Sequence, residues 1–198
     1  MAIKAGIFGD GTNLKDRYIR DHRKLADMVK HWKKLGLEIV LTSGTWDLFH
    51  VGHAEYLERA KGLGDLLIVG VDSDEKVRAR KGPHRPVVPE SERINILCHL
   101  RHVDVVILKP HGEKPNALIK MIRPDILVMS KTTKHKPADI KEKQKHVGRV
   151  VLLQPQAQTS TSAKVRLLHV SGANRFAKEV ANRIPALMEE VMQDLSKK

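Results

Sequence analysis

His50 and His53 stand three residues apart with Gly52 between them, directly after a turn built from Gly44, Thr45, Trp46 and Asp47. At that spacing both imidazoles project from one helical turn. Gly52 removes a side chain where a ligand must approach the backbone. The preceding run, 37–43, reads as a buried strand, so strand, glycine turn and helix N-terminus follow one another. Free N–H groups and the helix dipole at such a junction attract an anion. Imidazole N–H groups beside it can donate to phosphate oxygens. The chemistry on offer is the holding of a nucleotide's phosphates. A lone His-x-x-His is more often surface or core polarity, so the weight rests on what surrounds this one.

The elements that must position these residues alternate in type. Residues 22–36 carry Leu25, Met28, Val29, Trp32 and Leu35 at helical spacing, and Gly36 ends the helix. Strand 37–43, helix 53–63 and strand 66–72 follow. A loop rich in Pro and Lys, 80–88, leads to a helix opening at Pro89, a favoured first-turn residue. The apolar runs 103–108, 126–129 and 150–153 are strand-length, and helical stretches around 115–122 and 137–146 separate them. Strands apolar on both faces, interleaved with helices, predict an α/β fold. It is a Rossmann-like, doubly wound parallel sheet of about five strands with helices on both faces. Ligands bind such sheets at the carboxyl ends of the strands.

The residues from Gly44 to His53, GTWDLFHVGH, resemble the signature of the cytidylyltransferase-like nucleotidyltransferases, with Trp46 where Phe is usual. Residues 64–74 (GDLLIVGVDSD) resemble the family's second strand, and 81–93 (KGPHRPVVPESER) its basic loop and following helix. Residues 101–104 (RHVD) resemble its third strand, and 160–163 (STSA) its Ser-Thr-Thr phosphate clasp. The motifs keep their order and cover about 37–166. The loop and its helix are most similar to the sugar-phosphate adenylyltransferases of the heptose type. Glycerol-phosphate and ethanolamine-phosphate cytidylyltransferases are similar too. The resemblance implies transfer of a nucleotidyl group from CTP or ATP to a small phosphorylated acceptor, a sugar phosphate or a polyol or alcohol phosphate, with release of pyrophosphate. The implied catalytic domain is 37–170, between an N-terminal extension and helix, 1–36, and a C-terminal helical segment, 171–198.

The second pKa of a phosphate monoester is near ~6, so such an acceptor is largely a dianion at neutral pH. No general base is required; the protein must supply alignment and positive charge. The resemblance gives His50 and His53 to the transferring and leaving phosphates, with Lys81 and Arg85 closing over them from the loop. Ser160, Thr161 and Ser162 would hold the pyrophosphate end, and Gly44, Thr45, Trp46, Asp47 and Gly52 would line the nucleotide. Blander roles exist for several: Asp47 capping the turn, Lys81 and Arg85 in a solvated loop, Thr159 to Ser162 as a simple helix N-cap. After the fourth strand the relatives carry a Gly- and Asp-containing segment, whereas this chain has Met129-Ser130-Lys131-Thr132-Thr133-Lys134-His135. Ser130, Lys131 and Lys134 there suit contact with a phosphate, or form a lysine-rich loop facing water. Mg²⁺ is expected on the triphosphate, held mainly by phosphate and water, with no protein metal cage.

A chain of 198 residues has room for one domain with a good core. No apolar run approaches the roughly 20 residues needed to cross a bilayer, and the first residues lack a secretory signal. Cys98, the single cysteine, lies in the stripe Ile94, Leu97, Cys98 and reads as inert core; a cytoplasmic setting fits. The net charge of +13 invites a nucleic-acid partner, but only 4% of residues are aromatic, leaving little for base stacking. Several bound phosphates account for that sign without nucleic acid. A non-catalytic nucleotide- or RNA-binding protein on the same fold is the alternative from another class. The glycine-rich stretch 6–13 has the wrong spacing for a nucleotide loop and reads as a turn. In 171–198 a helix interrupted at Pro185 carries Val180, Ile184, Leu187, Val191 and Leu195 as an apolar stripe. That stripe suits packing on the chain's own body or on a second copy, and a homodimer is the expected assembly.

Overall fold

Short runs of Ile, Leu and Val make the strands β1 (Ile39–Gly44), β2 (Leu66–Asp72), β3 (Val105–Lys109), β4 (Ile126–Ser130) and β5 (Arg149–Leu153) in a computed structural model of the chain. The structure describes residues 14–131 and 136–154, and beyond them 176, 178–185, 188 and 192. All five strands are parallel, in the order β3-β2-β1-β4-β5. The chain winds outward from β1 one way to β3 and the other way to β5. The switch point is therefore the crevice beside the carboxyl end of β1, where ligands bind in such sheets.

Helices cover both faces, as the apolar strands require. The helices are α1 (Leu14–Arg17) and α2 (His22–Lys34) before the first strand, then α3 (Val51–Lys61), α4 (Asp74–Lys81), α5 (Glu90–Cys98), α6 (Ala117–Ile122) and α7 (Pro137–Gln144) between strands. On one face, Leu25, Val29 and Trp32 of α2 and Leu118, Ile119 and Ile122 of α6 meet Ile39, Leu41, Ile68 and Ile107. On the other, Tyr56, Leu57 and Ala60 of α3 and Ile94, Leu97 and Cys98 of α5 meet Val40, Val69 and Val106. Burial pushes the Cys98 thiol up to about 12, so the side chain is inert core.

Several elements differ from the sequence-based expectation: residues 14–17 are helical, and α3 opens at Val51 with His50 outside it. Pro89 caps α5 from outside instead of opening it. Residues 74–81 are helical, where no helix was expected. Their composition hid it, since Val77 is the buried residue of a charged segment. The signal was the cap: Ser73 Oγ accepts from the Lys76 N–H at 3.2 Å, and Asp74 and Glu75 occupy the first turn, where the dipole favours them. The outer edge of β3 is covered by Tyr18 and Ile19, whose N–H donates to Val106 O at 3.0 Å. The N-terminal helix region thus adds to the same core as the sheet.

The chain divides into Met1–Gln158 and Thr159–Lys198. In the second unit residues 178–185 are helical, and Phe176, Val180, Ile184, Met188 and Met192 are exposed. Leu187, Val191 and Leu195 of the expected stripe, and the stretch 6–13, lie outside the described residues.

Candidate active site

The turn leaving β1 is held in an unusual backbone state. Trp46 and Leu48 both have left-handed φ, +58° and +47°, a conformation costly for bulky side chains. What holds it is side-chain packing on the turn itself. The Trp46 indole is buried, donates its N–H to Gly70 O at 3.1 Å and lies against Tyr56 and His53. Gly44 makes room for it, because a Cβ there would come within 3.3 Å of the ring. Trp46, expected to line the nucleotide, is a core side chain that sets the turn.

His50 is the N-cap of α3, and its Nδ1 accepts from the Gly52 N–H at 3.1 Å. That bond fixes the tautomer: the proton of the neutral ring sits on Nε2, which becomes the donor. His53 lies one turn on, its ring stacked on His50 with centroids 4.0 Å apart and planes 24° apart. Trp46 and Phe49 pack against His53 at 5.6 and 5.3 Å. The two imidazoles are thus brought side by side at the end of the helix that carries positive dipole. The N–H of Gly52 goes to the His50 ring.

Asp47, almost wholly buried, ties the next segment to this turn. Its carboxylate accepts from the N–H groups of Val87 (3.0 Å) and Val88 (2.9 Å) and pairs with Arg85 at 2.9 Å. Arg85, expected on an arm free to close, is 15% exposed and anchored on Asp47. Lys81 is the last residue of α4, not a loop residue. Partial covering of its ammonium, then the Arg80 and Arg85 charges, pull its pKa below the usual lysine value.

Arg93 carries more of the site than its place in the sequence suggests. Its side chain is 0% exposed. Nε donates to Val88 O and Nη1 to Asp72 O, each at 2.9 Å, Nη1 also to Thr45 O, and Nη2 pairs with Asp74 at 2.6 Å. One planar fork therefore joins the β1 turn, the end of β2, the basic loop and the start of α4. The clue in the sequence was a cation inside an amphipathic helix, three residues after the Glu90 of a proline-led start. Asp72 was missed as well. Burial alone would raise its pKa, but the Lys109 and Arg80 cations outweigh this and hold it below the ordinary aspartate value.

Of the remaining expected residues, Thr45 is buried and its Oγ1 accepts from Arg80 at 2.9 Å. Ser130 ends β4 half-buried, and Lys131 is exposed beside it, its N–H donating to Leu153 O at 2.9 Å. Lys134, Ser160, Thr161 and Ser162 lie outside the described residues. No group of three metal-ligating side chains occurs among the described residues. Asp47, Asp72 and Asp74 already serve N–H groups or cations.

Residues 41–193 match the family model described as cytidylyltransferase-like. The chain is similar to the bifunctional protein HldE of Syntrophotalea carbinolica, 43% identical over 57% of this chain and 23% of that protein. It is 36% identical to the protein of the same name from Nitratiruptor sp., over 76% of this chain and 32% of that one. The chain thus spans between about a quarter and a third of the length of these curated relatives. Among solved structures, a lipopolysaccharide core biosynthesis protein from Thermoplasma volcanium superposes with TM-score 0.52 and 28% identity, covering 63% of this chain and all of that one. A pantoate-beta-alanine ligase from Francisella tularensis, 16% identical with TM-score 0.53, covers 72% of this chain and 68% of its own and shares the fold.

Proposed function

The chain belongs to the cytidylyltransferase-like family, and on that premise we propose that it transfers a nucleotidyl group from CTP or ATP to a sugar phosphate, releasing pyrophosphate. The observation that carries this is the stacked pair His50 and His53 at the N-terminus of α3, beside a basic loop fastened to the same turn by Asp47. Similarity to a lipopolysaccharide core biosynthesis protein favours a sugar phosphate over a polyol phosphate as acceptor.

An oxygen of the acceptor's phosphate forms the new bond to the α-phosphorus. The bond to the bridging oxygen breaks, and its electron pair leaves with pyrophosphate. The attacking group is already a dianion, so no side chain has to remove a proton. His50 donates from Nε2 and His53 lies against it, both aimed at charge that grows on the transferring and leaving phosphates. Lys81 and the Arg85 rim add positive potential. The strained turn, locked by Trp46, Asp47 and Arg93, keeps these donors in place without reorganisation. Mg²⁺ carried by the triphosphate would neutralise further charge. Ser130 and Lys131 at the end of β4 belong to the nucleotide's side of the crevice, and the chain works as a homodimer in the cytoplasm.

Pyrophosphate release, measured with each of the four triphosphates against a panel of sugar and polyol phosphates, tests the proposal. Turnover with CTP or ATP and one sugar phosphate is expected, abolished in a His50→Ala, His53→Ala double variant. Triphosphate binding without turnover on any acceptor would favour the non-catalytic alternative.

A further inference from the structure

Gly70, in the middle of the sheet's ligand-binding edge, lets a lysine cross it. A Cβ at Gly70 would lie 2.8 Å from Lys109 Cδ and 3.0 Å from the Ser43 Cβ. With no side chain there, the Lys109 stem lies flat over Gly70. Its ammonium sits 3.3 Å from Ser43 Oγ and 3.2 Å from Asp72 Oδ1. The other Asp72 oxygen pairs with Arg80 at 2.9 Å, and Arg80 also reaches Thr45 Oγ1 at 2.9 Å. Asp72 is 2% exposed, whereas the Arg80 side chain is 55% exposed and Lys109 20%. A buried carboxylate therefore aims two cations outward. Lys76 stands beside them, 3.8 Å from Glu113. Three cations face two carboxylates, so the cluster keeps a positive surplus. Lys76 registers it: burial first, then the Lys109 charge, lower its pKa.

The position of this cluster separates it from the histidines. Thr42 bonds Tyr56 of α3 at 2.9 Å, so Thr42 faces α3. Side chains alternate along a strand, and Ser43 points to the opposite face, toward Leu118 and α6. The turn of Thr45 to Asp47 lies between the cluster and the histidine pair, and Arg80 touches it. In-line displacement at phosphorus needs the attacking and leaving oxygens on opposite sides. With pyrophosphate leaving on the histidine side, the attacking phosphate approaches the α-phosphorus from the side of the cluster.

We propose that Lys109, Arg80 and Ser43, oriented by buried Asp72, form the subsite for the acceptor's attacking phosphate. This rests on nucleotidyl transfer as the reaction. Lys109 and Arg80 donate to the phosphate oxygens, and Ser43 Oγ adds a third donor. Asp72 is a positioning residue that touches only the cations.

Titration calorimetry with inorganic phosphate tests it, on the protein alone and on protein saturated with Mg²⁺ and a non-hydrolysable CTP or ATP analogue. Arg80→Gln and Lys109→Gln should each weaken phosphate binding by about tenfold, with analogue affinity changed by less than about twofold. Arg80→Lys should restore most of the binding. Lys30→Gln, which removes an exposed cation of α2, should bind phosphate like the wild type. Arg80 is on the surface, so its variants fold even if Lys109→Gln does not. The proposal is overturned if wild-type protein binds no phosphate, or if Arg80→Gln binds it unchanged. It is also overturned if the variants lose the analogue together with phosphate, which would give the cluster to the triphosphate. A wild type that binds no analogue but loses phosphate in Arg80→Gln keeps the anion site and sinks nucleotidyl transfer instead.

Discussion

Replacing Arg93 should damage stability and catalysis together, and the size of the effect follows from its contacts. Arg93→Met keeps the volume and apolar stem but removes every donor. The Asp74 carboxylate, 21% exposed, loses its cation, and the carbonyls of Thr45, Asp72 and Val88 lose N–H partners. Removing one member of a buried ion pair costs about 3–5 kcal/mol. For a chain of this size each kcal/mol lowers Tm by roughly 2–4 °C, so a fall of roughly 10 °C is expected. Thermal unfolding followed by circular dichroism measures it. Arg93→Lys keeps the charge, but one ammonium cannot replace a planar fork that reaches into several segments. That variant should fold, melt between the other two, and turn over roughly 10²-fold more slowly, since a displacement near 1 Å at the turn is enough for this. A Tm of Arg93→Met within about 3 °C of wild type, with activity intact, would refute the assignment of Arg93 as the tie of the site.

His50→Ala and His53→Ala should each lower turnover by ~10²-fold or more in a protein with unchanged circular dichroism, as loss of a transition-state donor does; near-normal rates of pyrophosphate release would remove both from the mechanism. Asp72 has a depressed folded pKa, so its ionised form stabilises the fold above the unfolded value, and that stabilisation fades as pH falls through the folded value. Urea unfolding should therefore find Asp72→Asn less stable than wild type near neutral pH, with the gap narrowing below about pH 4; a gap constant from neutral to acid would contradict the pairing. Trp46→Phe should cost about 1 kcal/mol in the same assay through the lost hydrogen bond to Gly70 O while keeping most activity, and a variant as stable as wild type would show that the indole N–H contributes nothing.

The sequence alone determined the sheet and which of its ends carries the turn motifs. Unbroken Ile, Leu and Val runs between amphipathic helices leave a doubly wound parallel sheet as the packing that buries every apolar face. The pairing of His50 and His53 was legible because it depends on local spacing: a cap residue and one three positions on meet wherever that helix goes. Helix 74–81 stayed hidden because a nearly all-polar helix has little periodicity to detect, and it is held by Ser73 and by Arg93 from a later element. The roles of Arg93, Asp72, Lys109 and Gly70 were decided only by the tertiary structure. Each depends on at least one partner 19 to 66 residues away in the chain, brought together by register across three strands. Sequence showed that Asp47 and Arg85 were both present, but only the fold put the guanidinium on the carboxylate and turned an expected mobile arm into an anchor. Local spacing fixes what one element can present; which charge answers which is settled by desolvation once distant elements have packed.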